Sequence, residues 1–389
     1  MTAGDGKPML SGVKVVDMTS VVFGPYATQT LADLGAEVVK IEAPPAGDVF
    51  RWAGKPGATP GMGPGFLALN RGKQSVVLDL KQAADLATMT ALLADADVFV
   101  SNVRGQAMDR LGLDYDSVRA IRPDIIYVHC VGFGQDGPYA DLPAYDDVIQ
   151  AASGATSLSK RVDGGAAPRF IPSLIADKVS GLHAAYAVLA ALIHRMRTGE
   201  GQLVEVPMLE AFTHFMLLEH LGGLTFDPPN GPSCYARQVD PNRQPFPTSD
   251  GHVAIAAYGD RHWLALFALL GASAFLEQPA LATTADRFHN MALMYHEVAR
   301  LTPMLTTAEL LARCEAANLP ARQARDVDDI MDDPHLQAVG FFERRTHASE
   351  GDYFDMRPPV KFGAMPERRA DPPPKLDEQG AAIRQRDPQ

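Results

Sequence analysis

Val13-Lys-Val-Val-Asp17 and Glu37-Val-Val-Lys-Ile-Glu42 are apolar runs of strand length, and Tyr26-Ala-Thr-Gln-Thr-Leu-Ala-Asp-Leu34 between them repeats at helical spacing before stopping at Gly35. Glycine just past a periodic run is the usual helix stop. The opening therefore reads strand, helix, strand. A helical crossover of that kind suits parallel pairing, because parallel neighbours need a long connection to return the chain to the same end of the sheet.

The alternation continues outward from there. Ser75 to Asp79, Asp97 to Ser101 and Ile125 to Cys130 read as strands, with helices near 81 to 94 and 114 to 121. The pattern predicts an α/β domain with an open, Rossmann-like parallel sheet, whose ligand lies outside the carboxyl ends of the strands. Pro44 to Gly65, dense in Pro and Gly, is expected to be a long loop, which in a compact domain is more often functional than idle. Asp146 to Ala152 reads as helix, 154 to 176 as irregular, Leu203 to Val206 as strand and 207 to 221 as helix.

Phe226 to Thr248 carries six prolines and reads as an extended linker. A strand from Gly251 to Ala257 follows, with helices near 260 to 271, 285 to 302 and 306 to 317, which predicts a smaller α+β unit. Mixed patterning returns from Leu319 and ends in a polar tail rich in Pro, Arg and Asp. A chain of 389 residues exceeds the usual single core, so two domains are expected.

The longest predicted helix starts at Asp177, with Val179, Leu182, Tyr186, Leu189, Ile193 and Met196 recurring every three or four residues up to Thr198-Gly199. Aspartate is a preferred N-cap, and the helix start is positively polarised. That would lower the Asp177 pKa and keep it ionised.

Several function classes are excluded or left without support. A net charge of -12 argues against nucleic acid or an anionic membrane as the general partner, since both bind through basic fields. Neither a signal-like start nor an unbroken run of about 18 apolar residues is present, so a cytoplasmic protein is expected. Cys130, Cys234 and Cys314 form no CxxC pair, and the eleven histidines show no HExxH spacing, so no metal site is indicated. His183, six residues past Asp177, is off its helix face and reads as an ordinary helix residue.

Gly132-Phe-Gly134-Gln-Asp-Gly137 matches GxGxxG after a strand, but Pro138 and Pro143 follow where a dinucleotide fold needs a helix. A glycine loop that lets backbone approach a ligand fits better. Asn70-Arg-Gly-Lys73, Asn102-Val-Arg104 and Asp109-Arg110-Leu111 place cations where an α/β crevice opens, which suits phosphates.

Taken in order, several stretches resemble the class III CoA-transferase family, which includes formyl-CoA and carnitine CoA-transferases and the 2-methylacyl-CoA racemases. They are Leu10 to Asp17 through Phe23-Gly24-Pro25, Leu34 to Glu42, Asn70 to Asp79, Asp97 to Gly112, Gly132 to Tyr139, Asp177 with its helix, Thr198 to Gln202, and Asp333-Pro334 to Phe342. They run across nearly the whole chain. The resemblance implies a large domain from both chain ends, 1 to 224 and 319 to 389, a small domain at 225 to 318, and an interlocked homodimer.

The resemblance also implies Asp177 as nucleophile, acyl-CoA and a small carboxylic acid as substrates, and no tightly bound cofactor. CoA would lie along Val21, Val22, Phe23, Lys73, Asn102, Val103, Arg110 and Leu111, with Gly132, Phe133 and Gly134 near the thioester. The chain departs from formyl-CoA transferase at Ala43, which replaces a CoA-contacting arginine, and near Gln244 to Asp250, where the glycine-run loop is missing. Racemases have Gly-His-Asp where this chain has Ala144-Tyr145-Asp146, and a glutamate at Gly259. Racemization would have to use Asp147 or Asp260. A third alternative is a CoA-binding protein without catalysis, in which Asp177 only caps its helix. Arg169, Tyr235, Arg237 and Arg243 are candidates for gripping a carboxylate.

Overall fold

The computed structural model describes residues 7–364 and 370–385. The chain divides into two units. One gathers the described residues up to Thr156 with Phe170–Leu218 and those from Val339 on; the other consists of Ser157–Arg169 and Glu219–Ala338.

The larger unit is built on β1 (Lys14–Met18), α1 (Phe23–Asp33), β2 (Glu37–Glu42), α2 (Pro64–Leu69), β3 (Lys73–Val77), α3 (Ala83–Ala94) and β4 (Val98–Ser101). It continues with α4 (Gly105–Leu111), α5 (Tyr115–Ile121), β5 (Ile126–Val131) and α6 (Asp146–Ala152). After α7 (Leu158–Asp163), which belongs to the other unit, come α8 (Ile175–Thr198), β6 (Gln202–Pro207) and α9 (Met208–His220). The six strands form one sheet in the order β3-β2-β1-β4-β5-β6, every neighbouring pair parallel. The α/β expectation holds. Winding reverses between β1 and β4, and an open α/β sheet makes its ligand crevice at that switch point.

α8 runs back across the sheet before β6, so its start must lie at the carboxyl edge of the strands. Two contacts fix this direction. Near its end, Arg195 Nη2 donates to Asp97 Oδ1 at 2.7 Å, at the entrance to β4. Near its start, Gly181 meets the other edge: a Cβ there would lie 2.8 Å from the Phe23 carbonyl oxygen. Gly181→Val is therefore expected to push α8 from α1 and lower stability by about 1–3 kcal/mol, the usual cost of overpacking, read from the urea midpoint.

That close approach explains which face of α8 is buried. Ala176, Ser180, Gly181, Ala184, Ala185, Val188, Ala191 and Leu192 face inward, since small side chains let backbones approach. The larger residues of the predicted stripe turn outward: Leu182 and Ile193 are each 50% exposed, Tyr186 58% and Met196 83%. By length and a mean hydropathy of 1.2, α8 also meets the measure of a membrane-crossing helix; half of that window is buried inside the protein.

The Pro/Gly loop after β2 is held by a charge. Arg51, fully buried, donates from Nε and Nη2 to the two oxygens of Glu42 at 2.7 Å each and stacks over Phe66 at 3.6 Å. It also donates to Pro374 O at 3.3 Å. The polar end of the chain is thus no free tail in its described part. Asp377 and Gln379 accept from the Val77 and Ser75 amides of edge strand β3, and Ile383 is buried.

The smaller unit contains β7 (Phe246–Pro247), β8 (His252–Ile255), α10 (Asp260–Leu269), α11 (Thr284–His289), α12 (Met291–Leu301), α13 (Thr307–Ala316), β9 (Ala321–Gln323) and α14 (Pro334–Ala338). Its antiparallel sheet, order β7-β8-β9, packs with α10, α12 and α13 around Trp263, Phe267 and Tyr295. This unit runs past the expected boundary of 318 to Ala338, since β9 pairs with β8, Val253 opposite Gln323; it starts at Glu219, where 225 was expected. A hairpin of β10 (Phe342–His347) and β11 (Gly351–Met356), with α15 (Gly380–Arg384), belongs to the larger unit.

Candidate active site

The first turn of a helix leaves backbone N–H groups unpaired unless something caps them. At α8 the N-cap position is Leu174, which has no side chain for the task, and Asp177 is the third helical residue. This corrects Asp177 as the cap. The acceptor comes from α6 instead: Asp146 Oδ1 takes the N–H of Ala176 at 2.7 Å and that of Asp177 at 3.1 Å. Gln150, one turn on, donates to Asp146 Oδ2 at 2.5 Å and to Ser173 O at 3.0 Å, and accepts from the Ile171 N–H at 2.8 Å. One short helix thus fixes both the start of α8 and the segment leading to it.

Asp177 is only 7% exposed. Its side chain has no hydrogen-bond partner among the described residues. Burial first, then the negative charge of Asp146, push its pKa up to about 7. The expected lowering is overturned because burial disfavours the charged form and Asp146 already occupies the positive helix end. Buried carboxylates kept for structure are ordinarily paired. An unpaired one with a strongly shifted pKa at a crevice edge marks a functional group.

The loops after β1 and β4 stand at the same edge. Ser20 and Asn102 exchange hydrogen bonds at 3.1 and 3.0 Å, tying the two loops across the switch point. Val21 sits at φ +71°, a conformation that β-branched residues rarely adopt, and its N–H donates to Asp48 Oδ1 at 3.0 Å. Val22 and Phe23 are buried, and α1 starts there without a side-chain cap, leaving first-turn N–H groups open. Gly181, one helical turn past Asp177, packs on this start. Val103 O accepts from His129 Nε2 at 3.0 Å, and Leu111 packs on the core. Arg104 and Arg110 are exposed, with no partner among the described residues.

One expected CoA contact, Lys73, is corrected, and the glycine-loop residues Gly132, Phe133 and Gly134 are engaged with neighbouring side chains. Lys73 is buried, and its ammonium donates to Thr28 Oγ1 at 2.8 Å, Pro25 O at 3.0 Å and Asp17 Oδ2 at 3.1 Å, so no donor remains for a phosphate. Burial would raise the Asp17 pKa, but Lys73, Lys40 and two threonine hydroxyls outweigh it and hold the carboxyl at about 2. Gly132 is approached closely by Ala144, since a Cβ there would come within 2.3 Å of the alanine methyl. Phe133 is buried edge-on to Tyr139, and the Gly134 N–H donates to Glu210 Oε1 at 2.9 Å.

Of the carboxylate-gripping candidates, Arg169 pairs with Asp163 at 2.7 Å and Arg243 donates to Gln238 Oε1 at 2.8 Å. Tyr235 is exposed, and Arg237 stacks on Tyr258 at 4.0 Å and donates to the Tyr295 hydroxyl at 3.1 Å. His183 meets the Tyr186 hydroxyl at 2.9 Å on the outer face of α8. Asp147 is exposed, and Asp260 is held by Arg287 at 2.5 and 2.8 Å, so neither is a ready base. Among the described residues no cluster of His, Cys, Asp and Glu could hold a metal. Cavities lie beside Lys14 and Asp95 and beside Arg71 and Asp355, and Asp177 lines neither.

The residue that sequence reasoning missed is Asp146. Its one signal was its place beside Tyr145, where racemases carry a Gly-His-Asp. The capping contacts themselves span 30 and 31 residues and leave no local pattern.

With this geometry in place, comparison with known proteins decides the family. The profile of CoA-transferase family III matches residues 10–380. The chain belongs to CoA-transferase family III. The succinate–glutarate CoA-transferase of Agrobacterium fabrum is 33% identical over 97% of this chain and 95% of that protein. The formyl-CoA:oxalate CoA-transferase of Streptomyces avermitilis is 32% identical over 92% and 90%. A solved CAIB/BAIF family protein from Brucella suis superposes with a TM-score of 0.84 at 32% identity, covering 97% of this chain and 99% of that one. This family III member is thus a CoA-transferase in kind, and CoA thioesters are its substrates.

Proposed function

We propose that this protein moves CoA from an acyl-CoA to a small carboxylic acid through covalent intermediates on Asp177. The observation that carries this reading is the unpartnered, buried carboxyl at the switch-point edge. An Asp177 oxygen attacks the thioester carbonyl; a C–O bond forms, the C–S bond breaks, and a mixed anhydride and CoA thiolate result. The thiolate attacks the aspartyl carbonyl, expelling the donor acid as its carboxylate and leaving an aspartyl-CoA thioester. The acceptor carboxylate attacks that thioester and expels thiolate, which then attacks the acceptor acyl carbon and returns Asp177 as a free carboxylate. One negative charge passes from group to group, and the thioester's energy is kept without ATP or a resident cofactor.

The open N–H groups at the start of α1 supply positive polarity for the oxyanions. Arg104 and Arg110 are the free cations for phosphate, joined by Val21, Val22, Phe23, Asn102, Val103 and Leu111 as the CoA wall. The working form is a cytoplasmic homodimer, in which the outward Leu182, Tyr186, Ile193 and Met196 of α8 meet a second copy. Incubation of several acyl-CoA donors with a labelled carboxylate tests the reading. It predicts labelled acyl-CoA from the native protein. Deuterium uptake at the α-carbon without transfer would instead indicate a racemase, and saturable CoA binding with neither reaction would indicate a binding protein.

A further inference from the structure

We propose that Asp146 is a positioning residue that aims Asp177 through its helix cap and holds a standing negative charge against it, a repulsion relieved when Asp177 is acylated. This rests on the transfer reading above. The two N–H groups that Asp146 accepts belong to Asp177 itself and its neighbour, so the cap sets where the Asp177 backbone lies. The same contact brings a full negative charge to the turn that bears the nucleophile.

The other charged groups nearby do not counter it. Lys178, next on α8, is drawn to Ser173 Oγ at 2.5 Å, Asp147 on α6 faces solvent, and the first turn of α1 carries no acidic residue. Tyr26 of α1 packs on Gly181 with its ring. Among the described residues no cation acts on Asp177, and its raised pKa agrees.

The chemistry gives this arrangement a use. A carboxylate held against a like charge is a stronger base and a better nucleophile than an ordinary aspartate. In the anhydride and in the aspartyl-CoA thioester the side chain is neutral, so the repulsion disappears when the C–O or C–S bond to the enzyme forms. It returns only when Asp177 is released at the end of the cycle. Asp146 thus favours the covalent states without touching the substrate.

Asp146→Asn keeps an oxygen acceptor for the two amides and removes the charge; Asp146→Ser removes the charge with a shorter hydroxyl and serves if the amide disturbs Gln150. In the native enzyme, kcat/KM should rise with pH and level off above about 7, the pKa of the attacking group. In either variant that limb should move to lower pH by about one unit or more, the size of a close charge–charge effect, with slower transfer on the plateau. Thermal melting between pH 4 and 8 gives a second readout that needs no activity. The native protein should lose stability across that range, and the variants should lose less of it. An unmoved limb together with an unchanged melting slope would overturn the inference. Absence of transfer in the native protein would defeat the transfer reading, while the melting slopes would still decide whether Asp146 acts on Asp177.

Discussion

Asp177→Asn is expected to abolish CoA transfer and to make the protein harder to unfold at pH 8. An amide cannot form the anhydride, so the loss should be on the order of 10⁴-fold or more, the scale on which removal of a covalent nucleophile acts. The gain in stability follows from proton linkage. In the folded protein Asp177 titrates at about 7, against its ordinary 3.8. Between those values the folded state holds a proton that the unfolded state has lost. The stabilisation from the neutral form is complete below 3.8 and disappears as pH rises through 7, so at pH 8 the native protein carries an unrelieved buried charge. Asparagine has the same shape and no charge. At 1.36 kcal/mol per pH unit, the gain is bounded by roughly 4 kcal/mol. A melting temperature for the variant below that of the native protein at pH 8 would contradict the electrostatic account.

Arg51→Ala is expected to have the largest cost to folding. Its guanidinium is the charge partner of Glu42, which is itself buried and also accepts from the Asp48 N–H and the Ser75 hydroxyl. Removing one partner of a buried pair strands the other charge, at a cost of about 3–5 kcal/mol. The loss also frees the Pro374 carbonyl and the space under Phe66. Urea unfolding should show the destabilisation, and limited proteolysis should cut near residue 374 sooner than in the native protein. Adding Glu42→Gln should recover part of it, because the stranded charge is then removed. A variant as stable as the native chain would show that the Pro/Gly loop is held by its backbone instead.

Much of the larger unit was legible because its signals are local. The β1–α1–β2 stretch showed the parallel winding, and β2 and α6 fall on the residues read from pattern alone, Glu37–Glu42 and Asp146–Ala152. Other features depend on distant partners. The apolar stripe on α8 was legible from its spacing, but the small residues Gly181, Ala184 and Ala185 pack inward, and no period distinguishes the two apolar sides. The expected helix at 285 to 302 divides at Asn290 into α11 and α12, and α7 lies within a segment that reads as irregular.

The candidate site was legible in type and less so in electrostatics. Asp177 stands at a helix start, as its sequence context suggests, but a position three residues in differs from a cap. The pKa reversal comes first from burial and then from a carboxylate 31 residues away. Lys73 shows the opposite failure. A cation beside a crevice reads as a phosphate ligand until Asp17, Pro25 and Thr28 are seen around it. Whether a polar group faces inward or outward is decided by tertiary neighbours that spacing does not encode.

The most direct measurement is to add hydroxylamine while the enzyme turns over with acyl-CoA and to map the modified peptide by mass spectrometry. Hydroxylamine captures acyl anhydrides and thioesters of a carboxylate side chain. A hydroxamate on Asp177, formed only in the presence of acyl-CoA, is the predicted result. Full turnover with Asp177 unmodified and a different residue trapped would contradict the account.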